Sequence, residues 1–586
     1  MTRMPHDRAP GRRLFLIPLA ALIAVMPLIH HGCSCGHDFD FHLVNWFEAA
    51  KQFSHGNLYP HWAYTPAFNA GEPRFVFYPP LSWILGALLG LLLTHLPGVS
   101  EAAGWSAVPI LFTWIALTLS GLTFYRLART FAGPNTALLA ATLYLANPYM
   151  LFTAYERTAY GELLAAPWIP LLFHAILRDR VTIPRIALPV ALLWLTNAPA
   201  AVMGCYTLAL LAVIRLIATY RSAATPPGAP HLESEMWASR HRAALQLALK
   251  ALGGTALGLG LAAFYIVPAA YERHFVQIAL ATITGMHIDQ NFLFEHTGVS
   301  SDALDHDQVL HIASLIAVIL LAATAAALAA TLIRRKARPT APAFPTLPLV
   351  ILTAGIALLL TPLSASIWNH TPEAAFLQFP WRLLAILAPI FALAAADALG
   401  RLPMKFTATA FAAVILAVVL THPAYHLFRQ ACYPEDTAPA RLALFHSDEG
   451  TDPTDEYTPT TADNDVLKQD APPYWLATSP TAPPPITAQR GPAPMHLSLT
   501  APLAERLILN LRDYPTWSIS LNGAPTPHTV RRKDGLMAIP IPAGFSTIDI
   551  RYAHTLDQML GDAITMLALA LFLFALRDRP RPRSTP

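Results

Sequence analysis

The stretch Gly36-His37-Asp38-Phe39-Asp40-Phe41-His42 follows the first hydrophobic segment of the chain, residues 14–31. It places two carboxylates one residue apart at the mouth of a membrane span. In an extended or turn conformation Asp38 and Asp40 face the same side, so they can share a cation or accept a proton from a nucleophile. The structural alternative is that Asp38 caps a helix by accepting a hydrogen bond from its first turn.

Composition places the rest of the chain in a membrane. Of its 586 residues, 54% are hydrophobic and only 13% are charged, whereas charged residues make up about a quarter of a soluble protein. The net charge of +3 is small, and the basic residues cluster in short loops, so nucleic acid is not an expected partner. The cysteines Cys33, Cys35, Cys205 and Cys432 form no zinc or redox motif, and their pairing stays open.

Hydrophobic runs long enough to cross a bilayer, which needs about 20 residues, occur along most of the chain. They are residues 14–31, 105–126, 136–153, 159–177, 243–267, 308–333, 343–361, 381–397, 405–421 and 558–576. A further run, 184–218, is long enough for two short helices broken near 196–199. The first run lacks a signal-peptide cleavage site, which predicts an uncleaved helix.

Basic loops set the orientation, because positively charged residues stay in the cytoplasm. With both termini inside, the stretch 37–104 is one external loop, and the apolar segment 79–96 must lie in the outer leaflet without crossing it. The count gives about twelve spans. The basic clusters are Arg126/Arg129, Arg178/Arg180/Arg185, Arg215/Arg221/Arg240/Arg242, Arg334/Arg335/Lys336/Arg338, Arg401/Lys405 and Arg577/Arg579/Arg581/Arg583.

Apolar residues recur at helical spacing over 39–53, with Asp40, Glu48, Lys51 and Gln52 on the opposite face. This pattern predicts a helix on the membrane surface. Residues 58–74 contain proline, glycine and aromatic residues without periodicity and predict a loop.

The chain therefore divides into a transmembrane domain (1–421), an external domain (422–555) and a final span with a cytoplasmic tail (556–586). Residues 435–490 predict an extended, loop-rich segment. Residues 495–555 alternate apolar and polar side chains in short runs, separated by glycine-containing turns, and predict a small β-sandwich. The fold class is an α-helical polytopic membrane protein with a C-terminal external β-sandwich before the last helix.

Two further polar clusters lie at predicted outer ends of spans. The stretch 155–162 carries Glu156, Arg157 and Glu162, which are costly in lipid and therefore predict a cavity; ion pairs that only orient helices are the alternative. The stretch 378–382 ends in Trp381-Arg382. Its arginine suits bidentate phosphate binding, or it extends to the interface beside a tryptophan of the aromatic belt.

These pieces together resemble the GT-C superfamily of membrane glycosyltransferases. More narrowly, the chain resembles bacterial membrane proteins known as 6-pyruvoyl-tetrahydropterin synthase-related, although nothing in the sequence suggests pterin chemistry. The resemblance rests on His37-Asp38-Phe39-Asp40-Phe41-His42, Tyr59-Pro60-His61-Trp62, Phe77-Tyr78-Pro79-Pro80-Leu81, Glu156-Arg157-Thr158-Ala159-Tyr160-Gly161-Glu162, Phe379-Pro380-Trp381-Arg382 and Tyr514-Pro515-Thr516-Trp517 leading to Asn522-Gly523.

The resemblance implies roles for particular residues. An acidic residue of the first external loop, here Asp38 or Asp40, acts as catalytic base or metal ligand, and Mg²⁺ or Mn²⁺ bound there is the one implied cofactor. A second acidic position corresponds to Glu156 or Glu162, and Arg382 would hold the lipid phosphate. The other predicted substrate-binding residues are Arg157, His42, Tyr78 and Trp381.

The function expected from these observations is an inverting-type transfer of a sugar from a polyprenyl-phosphate donor to an extracytoplasmic glycan, lipid or protein acceptor. The implied location is a bacterial inner membrane, with both termini cytoplasmic and the site facing the periplasm. No sequon-binding motif of oligosaccharyltransferases is visible, so protein N-glycosylation is not supported. The competing class is a non-catalytic transporter or cell-envelope assembly factor, which should place polar groups deep within its spans.

Overall fold

The computed structural model describes residues 10–221, 230–282, 285–337, 344–371, 377–400, 405–486, 489–526 and 532–577. Within them, ten helices are long and apolar enough to cross a membrane, or eleven if one pair bent by 96° counts as a span. The predicted fold class is confirmed: the chain is an α-helical polytopic membrane protein with a C-terminal sheet domain. The basic positions Arg338, Arg401 and 578–586 lie outside the described residues.

The α-helices, in chain order, are α1 (Pro10–His31), α2 (Phe39–Ser54), α3 (Arg74–Phe77), α4 (Pro80–Thr94), α5 (Glu101–Ala128), α6 (Pro134–Leu145), α7 (Pro148–Tyr155), α8 (Tyr160–Ala165), α9 (Trp168–Leu177), α10 (Ile183–Trp194), α11 (Ala198–Arg221), α12 (Pro230–Leu261), α13 (Ala263–Glu272), α14 (Ser301–Ala337), α15 (Thr346–Leu359), α16 (Ala365–Asn369), α17 (Leu384–Leu399), α18 (Phe406–Pro423), α19 (Ala438–His446) and α20 (Leu556–Arg577). The expected count of spans included α10, which has only 12 residues in the structure.

Helices α1 and α5 run antiparallel. Trp114 donates from Nε1 to the carbonyl of Pro18, and Cys33 at the other end lies 3.4 Å from the carbonyl oxygen of Ser106. The chain between them therefore leaves and re-enters the bundle at the same end. Within it, α4 has 15 residues and is about 22 Å long, short of the ~30 Å of a hydrocarbon core.

Helix α2 forms where the apolar spacing predicts it, but half of its polar face, Glu48 and Gln52, is buried, whereas Lys51 is exposed. Glu48 is 1% exposed and accepts bonds from the backbone of Tyr64 and Thr65. Gln52 is also buried and donates to the carbonyl of Trp62. The expected surface helix is thus partly covered on its polar side by the following loop, which satisfies the buried carboxylate with backbone donors.

The C-terminal domain is a two-sheet sandwich. Its strands are β1 (Tyr474–Ala477), β2 (His496–Ala501), β3 (Glu505–Arg512), β4 (Trp517–Leu521), β5 (Ala524–Pro525), β6 (Leu536–Ile541) and β7 (Gly544–Tyr552). The antiparallel sheets have the orders β1-β3-β6 and β2-β7-β4-β5. Alternate residues such as Leu507, Ile519 and Ile548 form one core between them. The segment predicted to be loop-rich also contains β1 and α19.

Candidate functional site

Three loops meet at the end of the bundle where α1 stops. They are residues 32–38, residues 156–159 between α7 and α8, and residues 377–383 before α17. The amide of Asp38 donates to the carbonyl of Arg157 over 3.0 Å. A Cβ at Gly36 would lie 2.1 Å from the carbonyl oxygen of Glu156, so only glycine allows this close approach.

Asp38 is the N-cap residue of α2, but its side chain makes no capping bond. Its Oδ1 lies 2.7 Å from His37 Nδ1, and its Oδ2 lies 3.8 Å from Arg157 Nη2. Burial raises the pKa of Asp38, but the hydrogen bond from His37 and the charge of Arg157 outweigh it, so the pKa lies below its usual range. The same hydrogen bond raises the pKa of His37. The carboxylate is therefore ionised at neutral pH.

Glu162 joins the two site arginines. Its Oε2 lies 2.5 Å from Arg157 Nη1 and 3.7 Å from Arg382 Nε, while its Oε1 accepts a bond from the hydroxyl of Tyr149. The Arg157 guanidinium also lies 4.9 Å from the ring centroid of Trp381. Tyr149, 13 positions before Glu162, and Arg382, 220 positions after it, thus lie beside the same buried carboxylate.

Arg382 is 9% exposed and retains unused donors. Its Nη1 donates to the carbonyl of Leu377 over 3.0 Å, whereas Nε is buried with no hydrogen-bond partner among the described residues. The guanidinium carbon lies 5.0 Å from the ring centroid of Phe379. An arginine carries five N–H donors, so Arg382 can still bind an anion in a fork geometry.

His42 and Tyr78 lie beside this cluster. The Tyr78 hydroxyl is 3.5 Å from His42 Nε2, and the His42 ring contacts the edge of Tyr160. Burial lowers the pKa of His42 to about 4, so this side chain is neutral at pH 7. Burial also raises the pKa of Tyr78, which keeps its hydroxyl protonated and able to donate.

Two of the expected acidic site residues contact a different part of the chain, residues 429–441, which we call the strap. Arg441 Nε lies 2.9 Å from Asp40 Oδ1, and Gln430 Nε2 donates to Glu156 Oε2 over 2.7 Å. Burial raises the pKa of both carboxyl groups. Neither of these contacts involves the arginine cluster around Glu162.

A disulfide fixes the strap to the loop that precedes Asp38. It joins Cys35 to Cys432, which are 397 positions apart. The amide of Gln430 also donates to Ser34 Oγ, and the amide of Cys35 donates to the carbonyl of Gln430. The strap therefore holds the Asp38 loop by covalent and hydrogen bonds together.

The expectation that Asp38 and Asp40 face one side is wrong. Helix α2 begins at Phe39, so the second carboxylate turns away from the first by about 100° per residue. Asp38 faces His37 and Arg157, and Asp40 faces Arg441. Because positively charged partners contact both carboxylates, the pair does not fit a shared Mg²⁺ or Mn²⁺. Among the described residues, no group of three or more ligating side chains could hold a metal.

Sequence patterns did not identify the residues that complete this site. Tyr149, Gln430 and Arg441 each contact a candidate acid, but none lies in a motif. Tyr149 lies in an apolar run and the other two lie in a segment without periodicity. The only available signal was the excess of polar residues near Cys432, which is too general to identify a partner.

No protein-family model and no curated protein matches the chain. Among solved structures, it is similar to a mycobacterial arabinofuranosyltransferase, with 17% identity and a TM-score of 0.41 over 75% of this chain and 29% of that one. It is also similar to an oligosaccharyltransferase from Archaeoglobus fulgidus without ligands, with 16% identity and a TM-score of 0.39 over 72% of this chain and 57% of that one. The chain thus spans less than two thirds of either protein.

Proposed function

We propose that this chain transfers a sugar from a polyprenyl-phosphate donor to an extracytoplasmic acceptor, with inversion at the anomeric carbon. The observation that carries the proposal is the meeting of Asp38, Arg157 and Arg382 at one end of the bundle. An ionised acid and two arginines around one glutamate provide the charges needed for both ends of a glycosyl transfer. The resemblance to GT-C glycosyltransferases supplies the donor class.

The leaving phosphate would bind Arg382. Its Nε has no hydrogen-bond partner among the described residues and lies 3.7 Å from Glu162 Oε2. Arg157 lies on the same glutamate and adds a second positive charge. As the bond between the anomeric carbon and the phosphate oxygen breaks, the phosphate takes the electron pair, and these guanidinium groups stabilise the growing negative charge.

The acceptor hydroxyl would lose its proton to the His37–Asp38 pair. Its oxygen attacks the anomeric carbon from the face opposite the phosphate, forming the new glycosidic bond. Asp38 is 31% exposed and His37 is 74% exposed, so solvent and acceptor reach both. The low pKa of Asp38 makes it a weak base, whereas the raised pKa of His37 suits proton transfer near neutral pH. Asp38 then orients the imidazole and stabilises its charged form.

The disulfide between Cys35 and Cys432 supports an extracytoplasmic site, because disulfides persist in oxidising compartments. It lies three positions from Asp38. A bacterial periplasm contains no nucleotide sugars, so a donor carried by a membrane lipid fits this location. Asp38 and Asp40 do not form a shared site for Mg²⁺ or Mn²⁺, and we assign no step of the reaction to a metal ion.

The two aspartates allow a matched test of the proposal. Asp38→Asn removes the charge that faces His37 and Arg157 and should lower sugar transfer from a polyprenyl-phosphate sugar by about 100-fold or more. Asp40→Asn changes a carboxylate whose ion-pair partner among the described residues is Arg441, and it should leave most activity. The assay measures release of polyprenyl phosphate by the purified chain in lipid nanodiscs.

Equal activity of wild type and Asp38→Asn would overturn the proposal. Wild-type protein that moves the intact lipid-linked sugar across the bilayer without hydrolysis or transfer would favour the transporter class. Melting temperatures of both variants, measured alongside activity, show whether a loss of transfer reflects unfolding.

A further inference from the structure

A second buried polar cluster lies where α13, α20 and the β-sandwich meet, and the proposed transfer does not use it. Glu272, the last residue of α13, is 1% exposed, and Asp557, near the start of α20, is 8% exposed. Burying an ionised carboxylate is costly unless it is paired. Two such groups at one junction therefore require a physical reason.

Two side chains donate hydrogen bonds to Glu272. Tyr514 donates its hydroxyl hydrogen to Glu272 Oε2 over 2.7 Å, and Gln558 Nε2 donates to Oε1 over 2.9 Å. The same amide nitrogen lies 3.1 Å from the Tyr552 hydroxyl. Tyr514 and Tyr552 belong to the sandwich, whereas Gln558 belongs to the last helix. The glutamate thus bonds the external domain to the membrane domain.

Besides burial, Asp557 raises the pKa of Glu272, and Asp557 Oδ2 is itself buried with no hydrogen-bond partner among the described residues. No lysine or arginine forms an ion pair with either group in the described part of the chain. Two carboxylates cannot bond to each other without a proton between them, and close like charges prevent both from ionising. Burial raises the pKa of Glu272 to about 7.

Arg273, the residue after Glu272, is exposed, and it forms no ion pair with Glu272 or Asp557 in the described part of the chain. The two tyrosines, His61 and His554 lie around the carboxyl groups, and His61 stacks on the Tyr552 ring at 5.5 Å. Burial lowers the pKa of His61 to about 4, so it is neutral near pH 7. A proton on Glu272 is therefore the simplest way to remove the repulsion between the two carboxyl groups.

The two helices leave little room for the carboxylates to separate. A Cβ at Gly561 would lie 2.7 Å from the carbonyl oxygen of Ala263, and Thr565 Oγ1 accepts from the amide of Phe264 over 2.9 Å. Repulsion between two negative charges must therefore move α20, α13 or the sandwich. Because close-packed interfaces deform poorly, such repulsion opens contacts at the junction.

We propose that Glu272 is a proton latch: while it is protonated beside Asp557 it holds the β-sandwich and α20 against α13, and the junction loosens when Glu272 ionises. A carboxyl group with a raised pKa binds its proton more tightly in the closed state than in the open one. The closed state therefore loses stability as pH rises from about 4.5 to about 7 and changes little above that range.

Hydrogen–deuterium exchange of the full chain in nanodiscs tests the latch. Exchange rates, corrected for the intrinsic effect of pH, are measured at pH 5 to 8 for peptides that cover 268–276 and 550–560. We expect their protection in the wild type to fall by at least about tenfold over this range, since one pKa unit is a tenfold change in an equilibrium constant. Glu272→Gln should remove most of the pH dependence.

Asp465→Asn is the matched control, because Asp465 is exposed and far from the junction in the sequence; it should behave as the wild type. Asp557→Asn provides a second test if Glu272→Gln does not fold. Infrared difference spectra between wild type and Glu272→Gln at pH 6 should show the carbonyl stretch of a protonated carboxyl group. Protection that does not change with pH, or protection that calcium restores at pH 8 and a chelator removes, would overturn the proton latch.

Discussion

Single residues at the site differ in what surrounds their charge. Glu162 is shared by two arginines and a tyrosine, and it is buried. Asp38 keeps part of its side chain exposed, and its carboxylate accepts a hydrogen bond from His37. The first group is suited to holding the arginines in position, and the second to contact with a substrate. Within the proposed reaction, Glu162 therefore positions the arginines, and Asp38 positions the exposed His37 that accepts the proton.

Arg382→Lys should lower kcat/KM for the lipid-linked donor by about 10- to 100-fold, because an ammonium group keeps the charge but loses the fork of parallel donors. Donor kinetics of the purified variant measure the effect. Arg490→Lys is the matched control, since Arg490 pairs with Asp470 and Glu449 in the external domain. Unchanged donor kinetics in Arg382→Lys would show that the Arg382 guanidinium does not bind the donor phosphate.

The pH dependence of transfer should identify the proton acceptor. The hydrogen bond to Asp38 raises the pKa of His37 above 6.5, and only neutral imidazole can accept a proton. The rate should therefore rise with pH through that raised pKa. His37→Gln should abolish this rise of the rate with pH and lower kcat by about 100-fold. His55→Gln, at another exposed histidine of α2's end, should keep it.

If the transfer rate of His37→Gln rises with pH as in the wild type, His37 is not the base. Asp38 would then accept the proton directly.

Among the larger elements, the strap explains how distant parts of the chain form one site. Its residues contact the loop before α2 through Cys35 and Ser34, and the loop after α7 through Glu156. Both loops carry arginine or acid in the proposed site. The strap follows α18 after a π-helical turn, Ala424–Phe428. Helix α18 therefore influences the position of the loop that follows α1.

Removal of the disulfide should destabilise this arrangement. Cys432→Ser should lower the free energy of unfolding by about 2–4 kcal/mol, the usual range for a structural disulfide, and reductant should do the same to the wild type. Thermal unfolding with and without reductant measures the change. Cys205→Ser, at a free cysteine in α11, is the control. A variant as stable as the wild type, or equally sensitive to reductant, would show that the bond does not form.

Across the whole molecule, the C-terminal sheet domain and the membrane domain share side chains. Trp62, from the first loop, lies in the sandwich core 5.2 Å from the ring of Trp517. The amide of Arg512 donates to the carbonyl of Ala70, and its guanidinium contacts Asn464. The boundary drawn at residue 422 therefore marks a change of composition, whereas the first loop packs with both domains.

The sequence by itself determined the elements that depend on local pattern. Apolar runs of sufficient length gave the spanning helices, period-two alternation gave five of the strands, and helical spacing gave α2. It also indicated candidate site residues. Asp38 is indicated by its spacing from Asp40 beside a span. Arg157 and Glu162 are indicated because charged groups are costly in lipid, and Arg382 because arginine suits phosphate binding. These inferences need only neighbours within a few residues.

The tertiary structure decided which charges meet. Asp40 faces Arg441, away from Asp38, and Glu156 contacts Gln430 of the strap. Cys35 forms a disulfide with Cys432. The tertiary structure also buried Glu48, which the helical pattern placed on an exposed face. Such contacts join residues that are tens to hundreds of positions apart, and their energies depend on burial and partners. Periodicity along the chain carries no information about either quantity, so only the folded arrangement could supply them.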